Sequence, residues 1–262
     1  MSDSSLALPI ITITLSGLIT IGGAVFNYYL NRRSKRLDEE RQRQEEAEKL
    51  AARYAKPLLL AAWELQGRLK NVLESKDRER QVLSPDWKPP ADWPITHEYY
   101  LKSTLYMIGQ FFAWIDIMKK EEMFLPLSNK QVNQEFQALL DNCIKAFSDS
   151  RVAPGQAIFR QEQRAIGEQM SEKSDKDKTL RCISYSTFVE NYEQNERYRR
   201  WFEPAEKLVL SLGDSEKDPR VKRLKVINAQ LHSFIHFINT QMGIQLAEEH
   251  LSASAAAESH AG

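Results

Sequence analysis

Arg160, Arg164 and Glu168 stand at four-residue steps in FRQEQRAIGEQM, so a helix over this block puts all three on one face. Two guanidinium groups one turn apart present forked N–H donors, which suit a carboxylate or a phosphate. The same residues could instead join this helix to its neighbours by salt bridges. The apolar Ile158, Phe159, Ala165 and Ile166 beside them favour partial burial. The network is the plainer reading, and a polar-lined ligand pocket between helices is the sharper one.

Two further constellations carry less chemistry. His232 and His236 are spaced i,i+4 and could share a metal ion, but no carboxylate at matching spacing completes a site. They alternate with Phe234 and Phe237, so packing at the edge of a core is the expected role. Arg197, Arg199, Arg200 and Trp201, with Tyr192, Tyr198 and Phe202, have the make-up of a nucleic-acid or anionic-lipid surface. Glu193, Glu196, Glu203 and Glu206 dilute that patch, so a solvated face is expected.

Gly-x-Ser-x-Gly, Walker-type, dinucleotide-binding, HExxH and CxxC patterns are absent. No catalytic residue, no metal and no cofactor is therefore assigned, and the chain reads as non-enzymatic. The 36 Lys and Arg balance the 36 Asp and Glu, so no global field draws the chain to nucleic acid. Cys143 and Cys182 sit within apolar helical patterns, which suits buried thiols in a reducing compartment.

The elements that must position these side chains begin with an anchor. Residues 6–30, LALPIITITLSGLITIGGAVFNYYL, carry no charged side chain. At about 1.5 Å per residue the run can cross a hydrocarbon core of roughly 30 Å. Arg32, Arg33, Lys35 and Arg36 follow at once, which predicts a cytoplasmic C-terminal side and an external N-terminus. These bases also suit contact with acidic headgroups of the bilayer. Thr12, Ser16, Thr20, Gly23 and Asn27 share one stripe of the span. Small and polar residues so placed suit self-association between helices, or bonds back to their own helix.

Residues 34–46 hold Leu37 as their one large apolar side chain amid dense i,i+4 charge pairs. This stretch is expected to be a solvated helical stalk, one that a coiled-coil pattern fits poorly. Near Ala47 a core-facing side appears, with Leu50, Ala51, Tyr54, Leu58, Ala61, Leu65, Leu69 and Val72 at helical steps and Pro57 as an expected kink. A proline-rich surface loop is expected over 74–94, then helices over 96–124, from a Ser128 N-cap through Phe147, and over 156–170. The helix at 96–124 cannot be a second span, because Lys102 and Asp116 bracket its uncharged stretch. A charged loop over 171–178, helices over 179–192 and 198–212, a stop at Gly213 and a last helix from Asp218–Pro219 to about 240 follow.

No strand alternation is evident, so the predicted fold class is all-α: one transmembrane helix, a charged stalk and a cytosolic bundle of about six helices. The predicted organisation is 1–5 external, 6–31 transmembrane, 32–46 juxtamembrane and stalk, 47–243 helical domain and 244–262 disordered tail. The runs YAKPLLLAAWELQGRLKNVL, YYLKSTLYMIGQFFAWIDIMKKEEMFL and FRQEQRAIGEQM together resemble a bacterial family of single-span, mostly helical hypothetical proteins. The resemblance covers most of the domain, brings no functional residues with it, and implies a bacterial inner membrane. The expected function is an adaptor, scaffold or sensor at that membrane's inner face, with a protein partner. The alternative is an enzyme or small-ligand receptor whose pocket is lined by Arg160, Arg164 and Glu168.

Overall fold

The computed structural model describes residues 31–39, 41, 42, 45, 49, 51–74, 82–88, 95–120, 130–152, 156–176, 178–212 and 218–241. The chain divides into two units, Met1–Lys49 and Leu50–Gly262. In the first, residues 31–39 are helical and exposed, including Arg32, Arg33, Lys35 and Arg36. The proposed span at 6–31 lies outside the described residues save for Asn31. Its stripe of Thr12, Ser16, Thr20, Gly23 and Asn27, the Ser128 cap, the Gly213 stop and the 244–262 tail all lie outside them. Among the described residues no helix is long and apolar enough to cross a membrane.

The second unit is mostly helical and belongs to the all-α class. Its first helix starts as a π turn, Ala51–Ala55, and continues as α1, Lys56–Glu74. Pro57 lacks the N–H that an α-helix would direct at the carbonyl of Arg53, and the helix changes geometry just there. The other elements of the unit are α2 (His97–Lys120), α3 (Lys130–Ser148), α4 (Arg160–Gln169), β1 (Ser171–Lys173), β2 (Leu180–Cys182), α5 (Tyr185–Gln194), α6 (Glu196–Val209) and α7 (Pro219–Gln241).

Helix α2 is the centre. It buries residues on nearly every side, from Tyr100 to Met118, and packs against α1, α4, α5, α6 and β2. A helix apolar all round has no solvent face to offer, so its neighbours must enclose it. Helix α7 covers α1 and α3 with Leu224, Ile227, Leu231, Phe234 and Ile238 inward. The crossing of α2 and α4 is set by Gly167, where an added Cβ would lie 2.7 Å from the backbone oxygen of Phe112.

Two expectations fail between 171 and 192. The charged segment 171–178 is not simply a loop, and no helix starts at 179. β1 and β2 pair antiparallel, with Glu172 opposite Arg181 and a 3.0 Å ion pair joining them. Strands of three residues are too short for alternation to register. Helix α5 begins only after Ser184, whose side chain accepts the Thr187 N–H at 3.2 Å. Helix α4 likewise starts at Arg160 rather than 156, because Glu162 Oε2 accepts the Phe159 N–H at 2.7 Å and fixes the first turn there. Asn195 accepts the Tyr198 N–H at 3.2 Å, so α6 starts at Glu196, two residues earlier than expected.

Among the described residues, the buried charged side chains Lys102, Asp116 and Arg223 each have a partner. Lys102 is buried between Glu98 of its own helix and Glu193 of α5. Arg223 is fully buried and donates to the carbonyls of Ala146, Phe147 and Asp149 at 3.0, 2.9 and 2.8 Å. These are the C-terminal carbonyls of α3 and its exit, which the helix itself leaves without partners. Arg220 does the same for α6, donating to Leu210 at 2.5 Å and Ser211 at 2.7 Å. Asp218 accepts the Arg220 N–H at 2.9 Å, which caps α7 as its sequence predicts. Both cysteines are free thiols, and burial pushes each up to about 12.

Candidate functional site

Arg160 and Arg164 line a cavity of about 510 Å³ between the C-terminal end of α2 and the start of α4. Phe112, Ile115 and Ile144 give it apolar walls, and Lys119 and Lys120 bring two more cations from α2. Lys119 and Lys120 end α2, and Arg160 opens α4, so the close seating of Gly167 on Phe112 brings the four bases together.

Three carboxylates balance them in part. Arg160 Nη2 lies 2.6 Å from Asp141 of α3, which also holds Lys145 at 2.7 Å. Arg164 Nε lies 3.2 Å from Glu168, and Lys120 bridges Glu168 at 3.6 Å to the buried Asp116 at 2.7 Å. Burial would raise the Asp141 carboxyl, but its bonds to Lys145 and Arg160 hold it below the ordinary carboxylate value. Loss of solvent lowers the Lys119 ammonium first, and the Arg160 charge adds to that against Asp116 and Asp141.

Both candidate arginines are more than half exposed, so the pair is neither buried nor fully consumed by the network. Each commits one nitrogen to a carboxylate and keeps further N–H donors of its planar fork. Glu168 faces the ion-pair network rather than the cavity lining. Gln163, by sequence only a polar neighbour of the two arginines, has a larger part. It is buried against the cavity, and its Nε2 donates to Ile144 O at 3.0 Å and Ile158 O at 2.7 Å. A lone Gln between two Arg gives no sequence signal of burial, and only the spacing against Ile166 and Met170 hints at it.

A second concavity, about 1250 Å³, opens between α1, α2 and α7. Trp63, Tyr99, Tyr106 and Tyr185 supply aromatic walls, and Arg68 lies 4.0 Å from the ring centroid of Tyr100. His232 sits at its rim, 3.3 Å from Gln66. His232 and His236 are both exposed, and among the described residues no three potential ligands gather to hold a metal. Arg197, Arg199, Arg200 and Trp201 are exposed on α6, with Arg200 2.6 Å from Glu196. Tyr192, Tyr198 and Phe202 turn into the core, so the rings beside those bases offer no stacking surface apart from Trp201.

Comparison with protein-family models, curated proteins and solved structures finds no match for this chain.

Proposed function

We propose that this protein is a single-span, N-out membrane protein whose helical unit works as a non-enzymatic adaptor, scaffold or sensor at the cytoplasmic face. The observation that carries the reading is the uncharged run at 6–30 followed by Arg32, Arg33, Lys35 and Arg36. Those four bases are exposed on a helix, which supports their contact with acidic headgroups at about 1 kcal/mol per base. An inner membrane as its place belongs to the same proposal. Self-association through the Thr12, Ser16, Thr20, Gly23 and Asn27 stripe belongs to the same proposal.

The test is fractionation of the full-length chain. It should pellet with membranes and resist both high salt and alkaline carbonate. Recovery in the supernatant would sink the tether. A reporter fused after Gly262 should be active only in the cytoplasm, and periplasmic activity would reverse the orientation.

A second reading is favoured by the four bases around one cavity. On it, the unit is a receptor for a small anion, with Arg160 and Arg164 as binding residues and Glu168 as the group that orients Arg164.

A further inference from the structure

We propose that the cavity between α2 and α4 captures an anionic carbonyl compound, an aldehyde or ketone that carries a phosphate or a carboxylate, as an imine on Lys119. The proposal rests on the anion-receptor reading and adds a covalent bond and a substrate class to it.

The nucleophile is set apart by what holds its neighbours. Lys120 is tied to Asp116 at 2.7 Å and Glu168 at 3.6 Å, Arg160 to Asp141 at 2.6 Å and Arg164 to Glu168 at 3.2 Å. Among the described residues Lys119 has no carboxylate within ion-pair distance, although it lines the same cavity. The residue is exposed, so solutes reach its side chain. The charges that act on its nitrogen are those of Arg160, Asp116, Asp141 and Arg164, so it faces the cluster from the α2 side. Phe112, Ile115 and Ile144 supply apolar walls to the same cavity. Loss of solvent, and then the two guanidinium groups, disfavour the ammonium and leave more of the free amine that attacks a carbonyl.

The step balances without a further reactant. The amine lone pair adds to the carbonyl carbon, a C–N bond forms, and the carbonyl oxygen leaves as water with two protons from the nitrogen. Counted from the ammonium, one carbonyl is consumed and one protonated imine and one water are formed. The nitrogen thus keeps its positive charge, and the cluster keeps its surplus. Lys119, Lys120, Arg160 and Arg164 line the cavity against Asp116, Asp141 and Glu168, and Asp141 also serves Lys145. An anionic group on the ligand offsets that surplus, and a neutral carbonyl compound does not. Arg160 and Arg164 each retain N–H donors beyond the one bonded to a carboxylate, in a fork that suits phosphate or carboxylate.

The experiment treats full-length protein in a neutral detergent with limiting pyridoxal 5′-phosphate, reduces any imine with sodium borohydride and maps the label by peptide mass spectrometry. Lys119 should be labelled about tenfold more than the average lysine, and Lys120, held by two carboxylates, should not. Pyridoxal, which lacks the phosphate, should label Lys119 about tenfold less. Arg160→Gln should lower labelling at Lys119 while the other lysines stay as they were, which also shows the fold intact. Glyoxylate labelling Lys119 as readily as pyridoxal 5′-phosphate assigns a carboxylate to the ligand, and far weaker labelling assigns a phosphate; either result supports the proposal. Labelling that is spread evenly over the lysines, centred on Lys120, equal for pyridoxal and its phosphate, or unchanged by Arg160→Gln overturns it. Calorimetric titration with sodium phosphate separates the two readings. Saturable phosphate binding that Arg160→Gln weakens, without preferred labelling at Lys119, removes the imine and leaves the anion receptor standing. Neither phosphate binding nor preferred labelling removes both.

Discussion

Arg220 and Arg223 open α7, and Arg160 and Arg164 open α4, yet the two pairs face opposite surroundings. Cations at a helix start oppose that helix's own dipole, so each pair needs a negative partner from elsewhere. On α7 the partners are backbone carbonyls at the ends of α3 and α6, joined at Arg220 by the Asp218 carboxylate at 2.7 Å, and Arg223 is fully enclosed. On α4 they are the carboxylates of Asp141 and Glu168, and both arginines stay more than half exposed beside an open cavity. Carbonyls buried at a helix end demand a permanent donor, whereas a half-wet carboxylate can share its cation with a ligand. The first pair is architecture, and the second is available for binding.

Replacing Arg223 with Met should produce the largest effect. It removes a donor shared by three carbonyl oxygens, leaving Ala146 without the Arg223 donor while Phe147 keeps the Ile158 N–H and Asp149 the Val152 N–H, and should cost about 2–4 kcal/mol. Urea unfolding of the full-length protein in detergent measures it; a loss below about 1 kcal/mol would erase the contrast with α4. Gly167→Ala should come next. Its Cβ meets backbone rather than a pliable side chain, so α4 must shift against α2 at about 1–3 kcal/mol. The variant should also weaken small-anion binding at the cavity between α2 and α4, since the four bases depend on how the two helices seat.

Arg160→Ala should cost far less stability, about 0.2–1 kcal/mol, as expected of an exposed ion pair. A cost near that of Arg223→Met would make both pairs architectural. The smallest expected effect is a titration. Because the folded Asp141 carboxyl lies below its ordinary value, its ion pairs stabilise the fold above the unfolded-state pKa. That contribution is lost as pH falls through the lowered folded value. Arg160→Gln should move the Asp141 titration, followed by carboxyl NMR, back up towards the ordinary range, and no movement would mean that Lys145 alone sets it.

The helical class was legible because long periodic stretches such as those of α2, α3 and α7 carry their own pattern. The hairpin was not, since its pairing is set by Met170, whose carbonyl accepts the Ile183 N–H at 2.9 Å, a contact between segments rather than a local preference. The caps divide in the same way. Asp218 before Pro219 announces α7, whereas Phe159 before α4 carries no capping signal, and Glu162 supplies the bond instead. At the candidate site, Arg160 and Arg164 could be picked out by spacing. Lys119 and Lys120 join them only through a crossing that Gly167 permits, and a glycine inside a helix does not name the helix it will meet. Arg223 reads as one more base in PRVKRLKV, and its burial follows from where α3 happens to end.

The two thiols carry one further consequence. With its thiol pushed up to about 12 and no surface exposed, Cys143 can react with an alkylating reagent only while α3 stands away from its neighbours. Cys182 is only partly buried on the hairpin beside α2 and serves as the more accessible reference. The Cys143 labelling rate measured on the unmodified chain would therefore time the opening around α3. A ligand held between α2 and α4 should slow that clock wherever it ties down the region that carries the thiol.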